Sequence, residues 1–316
     1  MTIADLLAKA DRPLVSFEFF PPKDQVGEEQ LARTVDRLAP IRPDFVSVTY
    51  GANGSSRDRT LSASHRLVRQ SGMRVMGHLT IASQSRTQIE SVIDRYALDG
   101  VNHILAVRGD MPGGPTQPWQ PHPDGLSTAT ELVELIARRG DFCIGIGAFP
   151  DAHPASHDPD LDAKIIKDKW QAGASFAITQ LFFSVDAYRS LIERLRGLDC
   201  PIPVIAGIMP ITIISQVERF AQLSGAVLPS ALRQRLAAVA DDPAAVRALG
   251  IATATAMAAD LIDIGAPGLH FFTQNRSKAT MEIWQRLEAQ GLVQTAQGSL
   301  VDSSDSNHCQ ARSDAG

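Results

Sequence analysis

One pattern recurs along the chain. A short apolar run rich in Val, Ile and Phe is followed by a polar or Gly/Pro loop and then by a stretch of helical spacing. The apolar runs fall at 14–20, 44–50, 74–81, 101–109, 143–149, 176–183, 204–210 and 268–274. Several are apolar at consecutive positions rather than at alternate ones. That is the pattern of strands covered on both faces, by helices outside and by a filled barrel inside. Helical spacing is read at 28–38, 61–71, 87–98, 129–139, 162–172, 186–195 and 213–223. Eight alternating β and α units predict a (β/α)8 barrel as one domain over residues 1–293.

Two connections depart from a minimal barrel. Residues 228–263 carry two helical patterns, 230–240 and 243–263, where one would suffice, so an extra helix is expected before the last strand. The segment 111–125, MPGGPTQPWQPHPDG, is long for a connection after a strand and belongs to the class of loops that are functional or disordered. Residues 294–316 are polar and Ser/Asp-rich and are expected to form a disordered tail.

Composition adds limits more than direction. Hydrophobic residues make up 44% of the 316 positions and charged residues 21%, as in a globular protein with a sizeable core. A net charge of −5 gives no general attraction to nucleic acid or anionic membrane, so a phosphate-bearing ligand must be held by local cations. No uninterrupted apolar run reaches the roughly 18–20 residues of a membrane helix. The N-terminus, MTIADLLAKADRP, lacks the apolar core of a signal peptide. Cys143, Cys200 and Cys309 are scattered, without disulfide framework or metal spacing, and a reducing cytoplasm is the expected compartment.

In barrels of this kind the active site lies at the C-terminal ends of the strands. The polar residues there are Glu18, Thr49, His78, Arg108 with Asp110, Asp151 with His153, Gln180, and Gln274 with Arg276. Glu18, in VSFEFFPP, is the sharpest case. Burial among aromatics disfavours the charged form, and a carboxylic acid kept protonated suits general acid catalysis. A structural acid paired with a neighbouring group is the plainer alternative. Arg108-Gly109-Asp110 reads either as a ligand-approaching turn or as an ordinary turn with an ion pair. His78 has no second ligand at metal spacing and reads better as a hydrogen-bonding group. Lys164, Lys167 and Lys169 form either a solvated helix face or a cation cluster for a pyrophosphate. No phosphate loop and no GxGxxG follows a strand, which argues against a Rossmann-type nucleotide site.

The chain resembles the methylenetetrahydrofolate reductases from about residue 14 to 276. The resemblance is carried by SFEFFPPK (16–23), DFVSVTYGANGSSRDRT (44–60), GHLT (77–80), VRGDMP (107–112), AFPDAHP (148–154), AGASFAITQLFF (172–183), PVIAGIMPI (203–211) and LHFFTQNR (269–276). It implies a barrel holding FAD non-covalently, with NADH or NADPH as co-substrate and methylenetetrahydrofolate reduced to methyltetrahydrofolate by ping-pong hydride transfer. Methyl groups for methionine synthesis would be the product's use.

By the same resemblance, Glu18 is the acid that promotes opening of the folate's five-membered ring to an iminium, and Asp110 the carboxylate near flavin and pterin. Gln180, Gln216, Phe220 and Arg276 contact substrate, as do Glu18 and Asp110. FAD contacts fall at Thr49, His78, Val107, Arg108, Gly109, Asp110, Ala129, Phe149, His153, Asp162 and Lys169, with Lys167 a further candidate at the phosphates. Thr128 stands where many members place an aromatic, Ile165 replaces a polar residue, and Asp168 lies between two lysines. No metal, nucleic acid or membrane partner is implied. A homo-oligomer is expected, and control through an appended regulatory domain is not. The same catalyst run oxidatively, a non-catalytic folate- or flavin-binding barrel, and a corrinoid-linked methyltransferase are the competing readings.

Overall fold

The computed structural model describes residues 1–51, 57–115 and 117–294. Eight parallel strands close into a barrel in sequence order: β1 (Leu14–Phe19), β2 (Phe45–Val48), β3 (Val75–Thr80), β4 (His103–Val107), β5 (Cys143–Ala148), β6 (Phe176–Thr179), β7 (Val204–Ile208) and β8 (Gly268–Phe272). Closure is between β1 and β8, with Glu18 opposite Phe272 and Ser16 opposite His270. The helices α2 (Gln25–Leu38), α3 (Arg57–Ser71), α4 (Arg86–Leu98), α5 (Ala129–Arg139), α6 (Pro159–Gln171), α7 (Val185–Gly197) and α8 (Ile214–Ser224) follow β1 to β7 in turn. The expected (β/α)8 barrel is the observed fold, with strand starts within two residues of those read from the pattern.

The strands are buried on both faces, and their alternation sorts residues into two layers. On β1, Val15, Phe17 and Phe19 join the large outer core against the helices. Ser16 and Glu18 face inward, where both meet His270. The lower interior is apolar: Phe45, Met76, Leu105, Cys143, Phe176, Ile178 and Ile205 pack together with Ile3.

Ile3 belongs to α1 (Ile3–Lys9), a helix the pattern does not announce. Thr2 and Asp5 form a reciprocal capping box that starts it. The Ile3 N–H donates to His103 Nε2 at 3.3 Å, and burial pushes the His103 imidazole down to about 4, which keeps that nitrogen an acceptor. The N-terminal end of the barrel is thereby plugged, leaving the C-terminal end as the mouth.

Three helices lie between β7 and β8: α8, α9 (Ser230–Ala237) and α10 (Pro243–Asp263). Ile211, Val217, Leu228, Leu232, Leu236 and Val246 form their own small core. Gly250 lets α10 come against the chain after β7; a Cβ there would collide with the Ile211 carbonyl oxygen. α10 is long and apolar enough to cross a membrane by length and composition. The uninterrupted-run criterion misses it because Thr, Gly and Asp punctuate its sequence. It packs against α7, α11 (Lys278–Ala289) and β7, which accounts for its apolar buried positions from Val246 to Leu261. The expected tail lies outside the described residues, save Gln294.

Candidate active site

Glu18 stands at the mouth between two imidazoles. Its Oε2 lies 3.6 Å from His78 Nε2 and 3.7 Å from His270 Nε2, with the carboxylate side chain 13% exposed. His270, 1% exposed, reaches back into the barrel: its Nδ1 is 2.7 Å from Ser16 Oγ, and its Nε2 is 3.4 Å from Ser47 Oγ. Ser16 Oγ also donates to the Leu269 carbonyl oxygen at 3.3 Å. A hydroxyl has one proton, so a serine that donates it to Leu269 accepts from His270 Nδ1–H. The Nε2 lone pair then faces Ser47 and Glu18. An inward-facing polar column thus links the acid to the barrel interior.

His78 is held in its neutral form. Burial pushes its imidazole down to about 4, with Glu18 opposing and His270 reinforcing the shift. Its backbone carbonyl is pinned by Tyr96 Oη at 2.8 Å, yet its Nε2 has no hydrogen-bond partner among the described residues. Thr80 Oγ1, two residues on, is likewise buried and unpartnered. Such atoms cost free energy unless something bonds them. Two strands away, a Cβ on Gly147 would find only Val107, at 4.0 Å, so the space beside β5 is open. The mouth therefore offers polar atoms and room for a flat heterocycle.

A cationic cluster lies at the ends of β4 and β5. Asp162, buried on α6, accepts from the His153 N–H at 2.6 Å and from Ser156 Oγ at 2.8 Å. The Ala155 N–H donates to His153 Nδ1 at 3.0 Å, so Nε2 carries the ring proton and is the free donor. Burial brings His153 down to about 4, with Arg108 acting in the same direction. Phe149 sets its ring, with centroids 4.6 Å apart in an edge contact. Burial also lowers the Lys169 ammonium to about 8, Asp162 opposing and Arg108 adding to the shift. Gly109 takes φ +78°, the left-handed turn that ends β4. Asp110 is raised above the usual carboxylate range by burial, with Arg108 opposing. This donor set suits an anionic tail.

The remaining expected positions divide. Thr49 and Val107 are half-buried at the ends of β2 and β4, and Ala129 is buried as the first residue of α5. Gln180 donates its backbone N–H to the Ala148 carbonyl at 2.7 Å, and its Oε1 accepts from the Leu181 N–H at 2.9 Å. Gln216 Nε2 donates to Gln274 Oε1 at 2.6 Å, and the half-buried Phe220 lies one helical turn further on α8. Arg276 is exposed.

Three positions find partners of their own. Lys167 does not face the cluster, because its Nζ donates to the Leu198 carbonyl at 2.7 Å; residues two apart on a helix point to different sides. Asp151 accepts from the Val227 N–H at 3.1 Å. Thr128 caps α5, accepting from the Glu131 N–H at 3.2 Å, which accounts for a small hydroxyl residue there. His270 and Ser16 are the residues that sequence reasoning missed. Their signal was parity: both share the inward phase of Glu18 and Gln274 on the two strands that close the barrel. Among the described residues, no group of His, Cys, Asp and Glu is arranged to hold a metal.

A family profile for methylenetetrahydrofolate reductase matches residues 2–288. The chain belongs to the methylenetetrahydrofolate reductase family. The 5,10-methylenetetrahydrofolate reductase of Pectobacterium carotovorum subsp. carotovorum is 35% identical over 275 residues, 86% of this chain and 89% of that one. That of Escherichia coli (strain K12) is 34% identical over 273 residues, 86% and 90% of the two chains. Methylenetetrahydrofolate reductase 1 of Schizosaccharomyces pombe is 34% identical over 96% of this chain but 50% of its own length. Membership makes the chain an oxidoreductase enzyme of one-carbon metabolism. Among solved structures, a Clostridium thermocellum protein described as binding two copies of 5-methyl-5,6,7,8-tetrahydrofolic acid covers 92% of this chain and 100% of its own. Its TM-score is 0.63 at 14% identity, a likeness of fold alone.

Proposed function

We propose that this methylenetetrahydrofolate reductase family member reduces 5,10-methylenetetrahydrofolate to 5-methyltetrahydrofolate, with NADH or NADPH as reductant and non-covalent FAD as cofactor. The reading includes a cytoplasmic location, small-molecule partners, a homo-oligomeric assembly, and methyl supply for methionine synthesis. The observation that carries it is Glu18 at the barrel mouth, flanked by His78 and His270, in a chain aligned with named reductases over most of its length.

The residues fit a flavin dinucleotide. Unpartnered His78 Nε2 and Thr80 Oγ1, with the open face at Gly147, suit a polar heterocycle. Lys169, Arg108 and the His153 Nε2–H suit its pyrophosphate. Thr49, Val107, Gly109, Asp110, Ala129, Phe149 and Asp162 complete the proposed binding set. When bound there, FAD would supply the hydride-transfer chemistry that couples nicotinamide oxidation to folate reduction.

The chain's own part is proton placement and orientation. Glu18 donates a proton to the folate's bridging ring, so that its C–N bond opens to an iminium that can take hydride. With Nδ1–H committed to Ser16, His270 Nε2 can accept from or return a proton to Glu18 through a small shift of the carboxylate. His78, kept neutral by burial, stands beside Glu18 without a positive charge. Asp110, made reluctant to ionise by burial, is placed to hydrogen-bond the pterin as donor or acceptor. Gln180, Gln216 and Phe220 hold the flat ring systems, and exposed Arg276 meets the substrate's carboxylates.

The test is anaerobic. Purified protein should show flavin absorbance that bleaches with NADH or NADPH and recovers on adding methylenetetrahydrofolate, with methyltetrahydrofolate as product. Protein that neither retains nor takes up FAD, or whose reduced form ignores the folate, would overturn the proposal.

A further inference from the structure

Arg108 is held in an uncommon way for a cation beside an acid. Its guanidinium carbon lies 5.1 Å from the centroid of the Trp119 ring, and the one hydrogen bond of its side chain among the described residues is a long one, Nε to the Gly109 carbonyl at 3.4 Å. No carboxylate lies within salt-bridge distance of it among those residues. Trp119 comes from the proline-rich loop after β4. That loop is anchored: Trp119 Nε1–H donates to the Ser127 carbonyl at 2.9 Å, and the Arg86 N–H donates to the Asp124 carbonyl at 2.7 Å. The Ser127 N–H in turn donates to Glu131 Oε2 at 2.9 Å in the first turn of α5. One indole therefore joins the end of β4 to the start of α5.

Stacking differs from ion pairing in what it leaves free. A carboxylate partner would neutralise the guanidinium and consume its paired donors. An aromatic face attracts the cation through its quadrupole and fixes the plane, while the in-plane N–H groups stay available. We propose that Trp119 is a positioning residue, which clamps Arg108 so that its free donors face the anionic part of the bound cofactor beside His153 and Lys169. This rests on the FAD reading above and adds a residue that the resemblance to the family did not name. The electrostatics agree with the placement: Arg108 acts on both His153 and Lys169 in the direction expected of a nearby positive charge.

The experiment measures FAD affinity of flavin-stripped protein by quenching of flavin fluorescence, for wild type, Trp119→Phe, Trp119→Ala, Arg108→Ala and the double variant. Pyrophosphate competition runs in parallel, and thermal melting checks folding. Trp119→Ala should raise the FAD Kd roughly 5- to 30-fold, the range of a partly desolvated cation–π contact. Trp119→Phe should stay within about 3-fold, because Phe keeps the face. In the Arg108→Ala background, Trp119→Ala should add little, and pyrophosphate should compete less well against either single alanine variant. Equal effects of Phe and Ala, full additivity with Arg108→Ala, or a melting shift without loss of affinity would overturn the clamp. Wild type that binds neither FAD nor pyrophosphate would overturn the cofactor reading and the clamp with it. Wild type that binds while Trp119→Ala binds equally well would remove the clamp alone.

Discussion

The two ends of the barrel are built from the same strands by the same alternation, yet they hold opposite contents. At the N-terminal end, inward positions are Phe45, Met76, Cys143 and Phe176, sealed by Ile3 of a short helix. Two residues further along the strands the same faces carry Ser47, His78 and Glu18, with His270 on the closing strand. At the lower end His103 Nε2 accepts from the Ile3 N–H; at the upper end His78 Nε2 and Thr80 Oγ1 have no hydrogen-bond partner among the described residues. The contrast is between an apolar interior below and polar side chains above whose free atoms a bound ligand would satisfy.

Substitutions should separate the ends. Ile3→Ala removes a fully buried anchor of the plug and should cost about 2–5 kcal/mol, read from the urea midpoint. Glu18→Gln, at the mouth, should change stability by less than about 1 kcal/mol, since the isosteric amide takes away no packing. If Glu18→Gln costs as much as Ile3→Ala, the acid belongs to the scaffold and the contrast between the ends fails.

A smaller effect lies at the phosphate side of the mouth. Lys169→Ala should weaken FAD binding roughly 10-fold, about the worth of one charge-assisted hydrogen bond, while leaving the folate KM nearly unchanged. Lys167→Ala, whose partner is the Leu198 carbonyl, should leave FAD affinity alone. Flavin fluorescence titration of the two variants side by side checks this.

The mildest prediction concerns acid. His78 and His153 at the mouth and His103 at the plug are all pushed by burial from their ordinary 6.5 to about 4. Below pH 6.5 the unfolded chain takes up protons that the folded chain refuses. Stability should therefore fall as pH drops from 6.5 towards 4 and be complete with respect to these groups above 6.5. His103→Gln, which keeps a side-chain acceptor for Ile3 N–H, should flatten the slope of melting temperature against pH in that window. An unchanged slope would mean that the plug histidine does not titrate with unfolding.

The sequence made the barrel visible because fully covered strands and helical stretches alternate in separate registers. α5 begins and ends where its spacing says, and so does α10. α1 stayed hidden because seven residues with one buried position carry no measurable period. The candidate site was legible where it rests on a local motif, as with Glu18 among phenylalanines or Arg108-Gly109-Asp110. It was not legible where function rests on closure. His270 meets Ser16 across a separation of 254 residues, and only the register of β1 against β8 puts them together. Trp119 over Arg108 depends on how a loop without periodicity folds back, which spacing does not encode.

The central claim is that Glu18 serves the folate step alone, as the acid of the mouth. Double-mixing stopped-flow of Glu18→Gln tests it: the variant is reduced with NADH or NADPH, then mixed with methylenetetrahydrofolate, and flavin absorbance is followed through both steps. The account predicts flavin reduction within about 3-fold of wild type and reoxidation by the folate slowed by about 10²–10⁴-fold, the range of a lost general acid. Equal slowing of both half-reactions, or reoxidation at the wild-type rate, would contradict it.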